Sequence, residues 1–450
     1  MVGVVTFLAG LLFGYDQGVI SGALPLIKDD LNLSTFASEV ITSWVTLGAL
    51  GGALVAGVLA DKVGRRRAAI LAGVLFAAGA LLETVAPGAG VLTVGRVITG
   101  VAVGFASTVA PLYAAEMAPS ALRGRFVSAY QLAITVGIFL AYLADDALTS
   151  SGRWRAMFAL AVIPGVLLVL GFLCVPESVR WLIGHKRRPE AEQALVKLTG
   201  ETDVAATADT IEADLQAEAA EGEASWSEVF SPGLRRPLTI GITLSVIQQV
   251  TGINAIIYYA NDIFARAGFT TAQSQAKATL YAVGLVNVLA TFIAVAYVDR
   301  FGRRPLLLAG LVGMTVSLGA VAVAFAGFDN TASSSTSVTA GGVLTLVALV
   351  VFIASFAFSL GPVVWTVISE IYPNRVRGRA VSAATAANWG AAFLVTQFFL
   401  TIVDAIGEAQ TFALFAVICV ISYIWILRNV PETRERSLEE IQELWREPAA

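Results

Sequence analysis

The chain has 450 residues, of which 57% are hydrophobic and only 14% charged, and its net charge is -4. Soluble domains carry about 25% charged residues because their surfaces are polar, so this composition indicates a membrane-embedded protein. No basic tract suits a nucleic acid, and two cysteines and one histidine argue against a disulfide framework, a metal site and a Ser-His or Cys-His catalytic pair.

Twelve apolar stretches have the length of about 20 residues that crosses a bilayer. Six fall near 2–26, 40–60, 68–87, 91–117, 126–147 and 154–175, and six near 237–264, 278–298, 305–327, 341–371, 379–404 and 409–428. The first lacks the basic region and cleavage site of a signal peptide, so it is interpreted as a span. We therefore predict an all-α polytopic membrane protein with a six-helix bundle at 1–175, a linker at 176–236, a second bundle at 237–428 and a tail at 429–450.

Lysine and arginine residues are distributed unevenly among the connections. With the N-terminus inside, the cytoplasmic connections hold 23 of these residues and the opposite connections hold 5. Basic residues are retained on the cytoplasmic side, so both termini are predicted to be cytoplasmic, in the inner or plasma membrane. Segments 191–198, 208–220 and 437–447 have the pattern of amphipathic surface helices. A flexible linker is the alternative.

The two halves repeat three charged motifs at matching helix ends. The repeated pairs are Asp61-Lys-Val-Gly-Arg65-Arg66 with Asp299-Arg-Phe-Gly-Arg303-Arg304, Glu116 and Arg123 with Glu370 and Arg377, and Pro176-Glu177-Ser178 with Pro431-Glu432-Thr433. Two parallel six-helix repeats imply a pseudo-two-fold axis along the membrane normal and a binding site at the midplane between the halves.

These motifs resemble those of the major facilitator superfamily, whose signature loop is similar to residues 57–66. Segments 176–182, 248–254 and 431–433 resemble the sugar porter branch, which includes bacterial proton-coupled xylose and glucose symporters and the glucose facilitators. The resemblance implies the major facilitator fold and import of a monosaccharide or polyol by alternating access, with a proton as coupling ion and no cofactor. The sequence contains neither a nucleophile-base set nor a phosphate-binding loop, so an enzyme is not expected. The transporter is expected to be a monomer.

Charged residues within the spans are costly and are functional by default. Asp16 and Arg96 lie at depths that let the arginine reach the carboxylate, so its movement would change the proton affinity of Asp16. An aspartate in the motif Phe13-Gly-Tyr-Asp16 resembles the proton symporters of the family, which favours proton coupling. A static ion pair is the alternative. Glu83, near a helix end, is expected to be interfacial.

Side-chain amides offer donors and acceptors to sugar hydroxyls without net charge, and aromatic faces pack against sugar C–H groups. The amides that align with sugar-contacting positions of the family are Gln131, Gln248, Gln249, Asn254, Asn287 and Asn388, and the aromatic walls are Phe13, Trp365 and Trp389. One or two of the amides are expected to bridge helices instead.

Helix breaks are predicted at Thr251-Gly252 and Gly361-Pro362, where half-helices would act as gates. Tyr258 and Tyr259 lie outward of the first break and are predicted to form the extracellular gate.

The repeated charges are predicted to form a cytoplasmic gating network, as in the family. Its members are Asp61, Arg65, Glu116, Arg123, Glu177, Asp299, Arg303, Glu370, Arg377 and Glu432. Exposed ion pairs contribute only about 0–1 kcal/mol each, so such a network can break in every cycle. Retention of arginines on the inner side is the simpler explanation. A proton-independent uniporter and a non-transporting sugar sensor remain alternatives, and the sequence does not specify the sugar.

Overall fold

A computed structural model of the chain describes residues 2–117, 123–200, 203–221, 225–327 and 339–434, with the side chains at 123–128, 218–219, 221, 296–299 and 374 excepted. The tail helix predicted at 437–447 and the side chains of Arg123 and Asp299 lie outside this description.

The described chain is almost entirely helical, and its first half forms six long helices. These are α1 (Val2–Leu31), α2 (Thr35–Val63), α3 (Arg65–Thr84), α4 (Ala89–Met117), α5 (Arg123–Thr149) and α6 (Trp154–Cys174). Four shorter helices follow in the predicted linker: α7 (Val179–Gly184), α8 (Arg188–Thr199), α9 (Ala205–Glu221) and α10 (Trp226–Val229).

The second half has the same number of spans but breaks several of them. Its helices are α11 (Arg235–Val250), α12 (Ile253–Tyr258), α13 (Ala260–Arg266), α14 (Ala272–Ala278), α15 (Val286–Phe301), α16 (Arg303–Gly327), α17 (Ala340–Phe358), α18 (Leu360–Ile371), α19 (Asn374–Ile406) and α20 (Glu408–Asn429). A π-helical segment at Thr279–Leu285 joins α14 to α15. Within the described residues, twelve helical segments are long and apolar enough to cross a membrane, which confirms the predicted twelve spans.

The helices within each half pack closely because small residues face backbone. Gly48 of α2 faces α4, and a Cβ atom on it would lie 2.4 Å from the Val97 backbone oxygen. Gly100 of α4 faces α2, and a Cβ atom on it would lie 2.1 Å from the Val45 backbone oxygen. Glycine at these two positions therefore allows the close approach of α2 and α4.

The bundle has two chemically different ends. We call the end with connections 61–67 and 299–304 the arginine-rich end, and the end with connections 31–35 and 404–408 the arginine-poor end. The long helices run between these ends, so residues near the middle of α1, α4 and α19, and at the end of α11 where its span is broken, lie at the depth where a central site is expected.

Candidate functional site

Four predicted amides form one hydrogen-bonded group, the amide cluster of Gln248, Gln249, Asn254 and Asn388. Gln249 Nε2 donates to Asn388 Oδ1 at 3.2 Å, and Asn254 Nδ2 donates to Gln249 Oε1 at 2.8 Å. Asn388 Nδ2 donates to Gln248 Oε1 at 2.8 Å. All four side chains are buried. The cluster thus concentrates uncharged donors and acceptors in an apolar helix bundle, as sugar recognition requires.

Gln248 also has a structural task in this cluster. Its Nε2 atom donates to the carbonyl oxygens of Leu360 at 2.8 Å and Gly361 at 3.3 Å. These carbonyls lie beside the break between α17 and α18, which centres on Ser359, two residues before the predicted Gly361-Pro362. Buried carbonyls at a helix break need a donor, so Gln248 bridges helices, as expected for one or two of the amides.

The first half reaches the cluster through α1. Gln17 Nε2 lies 3.4 Å from both Asn254 Oδ1 and the Tyr258 hydroxyl oxygen. The Phe13 ring packs against the Trp389 ring with their centroids 5.5 Å apart. Sequence reasoning missed Gln17, although its position directly after Asp16 was a usable signal.

The other predicted sugar residues lie outside this hydrogen-bonded group. Gln131 on α5 and Trp365 on α18 are half-buried, and Asn287 on α15 is buried. Tyr258 contacts Gln17, whereas the Tyr259 hydroxyl donates to the Thr396 carbonyl of α19 at 3.0 Å within the second half. The gating roles of the two tyrosines and the sugar-binding roles of all the predicted residues, including those of the amide cluster, stay predictions.

The break predicted in the seventh span is confirmed. α11 ends at Val250, and α12 begins at Ile253 after Gly252, whose φ is +93°. A residue with a side chain would be strained at this angle, which explains the glycine. Asn254 lies in the first turn of α12, so the break sets the position of an amide in the cluster.

Asp16 and Arg96 form a buried ion pair. Arg96 Nη1 donates to Asp16 Oδ1 at 2.6 Å, and the side chains are 0% and 3% exposed for Arg96 and Asp16. Arg96 Nε also donates to the Ile41 carbonyl at 3.3 Å. The predicted contact is therefore present, while its role in proton coupling stays a prediction.

Glu83 is not interfacial, and that expectation was wrong. Its side chain is 1% exposed, its Oε1 atom lies 3.8 Å from Arg96 Nη1, and it accepts a hydrogen bond from Thr99 Oγ1 at 2.9 Å. The end of α3 is covered because α4 packs on it through Gly95, where a Cβ atom would lie 2.6 Å from Glu83 Cγ. Closeness to a helix end in the sequence did not reveal this covering helix.

At the arginine-poor end, the two halves are joined by a row of polar side chains that we call the polar seam: Thr35, Glu39 and Ser43 of α2 with Asp404, Thr401 and Gln397 of α19. Glu39 accepts hydrogen bonds from the Thr401 amide at 2.6 Å and the Thr401 hydroxyl at 2.7 Å. Ser43 donates to Gln397 at 2.6 Å, and Thr35 donates to Asp404 at 3.1 Å. Lys28 adds an ion pair with Asp262 at 2.9 Å.

At the arginine-rich end, the repeated motifs form ion pairs inside the first half. Arg65 binds Glu116 at 2.9 Å and Asp61 at 2.9 Å, and Ser178 donates a short hydrogen bond to Glu116. Glu177 Oε1 accepts from the backbone amides of Arg66 at 3.0 Å and Ser178 at 2.9 Å. The side chain of Arg123, one of the arginines predicted to pair with Glu177, lies outside the described residues, so the place of Glu177 in the gating network stays a prediction.

The second half repeats this arrangement. Arg303 binds Glu370 at 3.0 Å, Thr433 donates to Glu370 at 2.6 Å, and Glu432 accepts from the amides of Arg303 and Arg304 at 3.0 and 3.1 Å. The Arg377 guanidinium donates to the Tyr372 carbonyl at 3.2 Å, a different contact from the predicted ion pair.

Backbone geometry explains why the acids of the third motif cap helices. Gly64 and Gly302, which precede α3 and α16, have φ values of +99° and +82°. A Cβ atom there would lie 2.2 Å from Glu177 Oε2 and 2.9 Å from Glu432 Oε2. Glycine therefore allows both the turn and the approach of a carboxylate to a helix N-terminus, where negative charge is stabilised.

Comparison with known proteins agrees with this arrangement. A model of the family described as "Sugar (and other) transporter" matches residues 2–445. The chain belongs to this family. It is a polytopic membrane transporter and not an enzyme.

Curated sugar transporters resemble the chain over nearly its whole length. The galactose-proton symporter of Escherichia coli K12 is 40% identical over 439 residues, which cover 97% of this chain and 92% of the relative. The arabinose-proton symporter of Bacillus subtilis is 37% identical, covering 97% and 93%.

Solved structures of a sugar symporter superpose on the chain as well. The inward open conformation of the xylose transporter XylE from E. coli superposes with a TM-score of 0.81 at 29% identity, covering 98% of this chain and 99% of XylE. The major facilitator superfamily proton:xylose symporter XylE bound to 6-bromo-6-deoxy-D-glucose superposes with a TM-score of 0.78, also at 29% identity, covering 99% and 98%. The chain therefore has the major facilitator fold that the sequence predicted.

Proposed function

We propose that this sugar transporter imports a monosaccharide together with a proton, by alternating access, across an inner or plasma membrane. The arginine-rich end faces the cytoplasm, since basic residues are retained there, and both termini lie on that side. The bundles at 1–175 and 237–428 move relative to each other in a monomer. The named substrates of the relatives, which include galactose, arabinose, glucose and xylose, support a monosaccharide cargo.

The observation that carries the proposal is the position of two neighbouring residues on α1. Asp16 pairs with Arg96 at 2.6 Å in the first half, and Gln17 reaches Asn254 of the amide cluster in the second half. One turn of one helix thus contacts both a buried titratable pair and a cluster of sugar-type ligands. A sugar that displaces Gln17 from Asn254 shifts α1, and with it the carboxylate of Asp16 relative to Arg96.

The pair itself suits proton exchange. A carboxylate in an apolar bundle is strongly disfavoured without a cation, so Asp16 is ionised when Arg96 is in contact and takes a proton when the contact is lost. Alternation between these states links protonation to a movement of helices α1 and α4. This proton is the coupling ion, and no cofactor takes part.

The pattern of contacts supports an inward-facing conformation. The polar seam and the Lys28–Asp262 pair join the halves at the arginine-poor end, whereas Arg65 and Arg303 bind acids of their own halves at the other end. In the outward-facing state, the acids and arginines of the two halves re-pair across the closed cytoplasmic side.

The test is uptake of labelled D-galactose, D-glucose, D-xylose and L-arabinose into proteoliposomes with and without an inward proton gradient. We expect wild type to accumulate at least one of these sugars only with the gradient. Asp16→Asn should equilibrate that sugar without accumulating it. Asp30→Asn is a matched control, because it changes an aspartate of the same helix whose ion pair with Arg155 is about half exposed.

Two outcomes would contradict the proposal. Gradient-independent equilibration by both wild type and Asp16→Asn would identify a uniporter. Absence of uptake of every sugar, combined with retained sugar binding by the purified protein, would identify a sensor.

A further inference from the structure

Glu83 is a second acid beside the proposed proton pair, and neither the family motifs nor the sugar site accounts for it. Asp16 and Glu83 both lie within 4 Å of the same Arg96 nitrogen, at 2.6 and 3.8 Å. Arg96 Nη2 is fully buried and has no hydrogen-bond partner among the described residues. The Arg96 guanidinium thus has a second carboxylate nearby, that of Glu83, and an unused hydrogen-bond donor, Nη2.

The charge count of this group has a direct consequence. With both acids ionised, one arginine faces two carboxylates, and the buried site carries a net charge of −1. Such an uncompensated charge inside a membrane protein is costly, and binding of one proton removes it. With only Asp16 and Arg96 present, the same proton would instead convert a neutral pair into a site of net charge +1.

Other charged groups around Glu83 do not alter this balance. On α4, Glu83 faces Arg96 and Thr99, and Arg96 also faces Asp16 of α1 and the uncharged Tyr258. The basic residue of α6, Arg155, is half-exposed and binds Asp30 and the Ala86 carbonyl.

The nearest acid of α2 is also engaged elsewhere. On the same side of the membrane, α2 carries Glu39, which Thr401 binds through two hydrogen bonds. This carboxylate belongs to the polar seam between the halves.

We infer that Glu83 is a second proton-binding residue and that the transported proton is shared between Asp16 and Glu83 around Arg96. When Asp16 is ionised it holds Arg96, and Glu83 carries the proton. When Asp16 takes the proton, Arg96 turns to the ionised Glu83, so its buried positive charge always has a partner. The proton binds from the outside when both carboxylates are ionised, passes from one carboxyl oxygen to the other and is released to the inside, and only O–H bonds form and break.

This inference rests on the proposed function, and its first test separates the two. Gradient-driven uptake of the sugar accepted by wild type is measured against external pH for wild type, Glu83→Gln and Asp145→Asn. In Glu83→Gln, a proton on Asp16 leaves Arg96 without a carboxylate. The external pH of half-maximal uptake should therefore fall by about one unit or more, the shift typical of one nearby charge. Asp145→Asn removes a buried acid that accepts from the Gly22 amide, at 3.1 Å, and should keep the wild-type profile.

The second test measures thermal unfolding of the purified proteins and does not depend on transport. Asp16→Asn and Glu83→Gln should each be tolerated, because the other acid still neutralises Arg96. The double variant should lose more stability than the two single losses combined, since it buries an unpaired arginine. If wild type is proton-coupled but Glu83→Gln keeps the wild-type pH profile, or if the stability losses are additive, the inference is overturned and the proposed function is not. Loss of proton coupling in wild type would overturn the proposed function and the inference with it.

Discussion

Glu39 of the polar seam should control how often the transporter opens at its arginine-poor end. The carboxylate is fully buried and accepts two hydrogen bonds from Thr401, at 2.6 and 2.7 Å, across the boundary between the halves. Hydrogen bonds to charged groups contribute about 1.5–3 kcal/mol each and neutral ones about 1 kcal/mol. In Glu39→Gln, the amide oxygen accepts from the Thr401 amide and the amide nitrogen donates to the Thr401 hydroxyl oxygen, so two hydrogen bonds to a charged group become two neutral ones. The closed state should lose about 2 kcal/mol, which shifts the equilibrium roughly thirtyfold towards the outward-open state.

Distances between spin labels measure this shift directly. Phe36 on α2 and Ile406 on α19 are exposed at the arginine-poor end, 66% and 46% respectively, and accept labels without disturbing the seam. Cys174 and Cys419 are first replaced, because both are free thiols. The long-distance population should rise in Glu39→Gln. It should not change in Thr84→Val, which removes a hydroxyl that donates only to its own helix, to the Ala80 carbonyl at 2.7 Å. Equal distance distributions in Glu39→Gln and wild type would refute the role of the seam as a lock.

Two further substitutions test packing and binding. Gly14→Ala should lower the melting temperature strongly, by the equivalent of about 3 kcal/mol, because a Cβ atom would lie 1.9 Å from a backbone oxygen of α5. Gly57→Ala is the control, because a Cβ atom there would meet nothing within 4 Å, and it should leave the melting temperature unchanged. Equal melting temperatures for Gly14→Ala and Gly57→Ala would contradict the close packing of α1 on α5. Asn254→Ala should raise the KM for sugar exchange about tenfold, since loss of one hydroxyl-binding amide costs about 1.4 kcal/mol. An unchanged KM would exclude Asn254 from the sugar site.

The sequence was most informative where a single physical rule decides the outcome. Apolar length decides the number of spans, and the described residues contain the twelve that were predicted. The cost of a charge in the membrane predicted that Asp16 and Arg96 would meet, and their atoms lie 2.6 Å apart. A glycine beside a buried amide predicted the break at Gly252, where a positive φ separates α11 from α12.

Contacts that depend on which faces of two helices meet could not be predicted from the sequence by such a rule. Glu83 is buried because Gly95 of α4 lets that helix cover it. The hydrogen bond from the Arg66 amide to Glu177 depends on the turn at Gly64, which the charged motif alone did not reveal. The polar seam escaped prediction because Thr35, Glu39 and Ser43, spaced at helical intervals, are ordinary polar residues until α19 lies against them.

The most direct measurement of proton coupling is the pH change that sugar entry itself causes. Proteoliposomes in weakly buffered medium, with no imposed gradient and potassium plus valinomycin to balance charge, receive the sugar that wild type transports. Coupled entry should make the external medium more alkaline with wild type, and with Asp30→Asn, but not with Asp16→Asn. Sugar entry through wild type without any alkaline change would contradict the account, because the cargo would then cross without a proton.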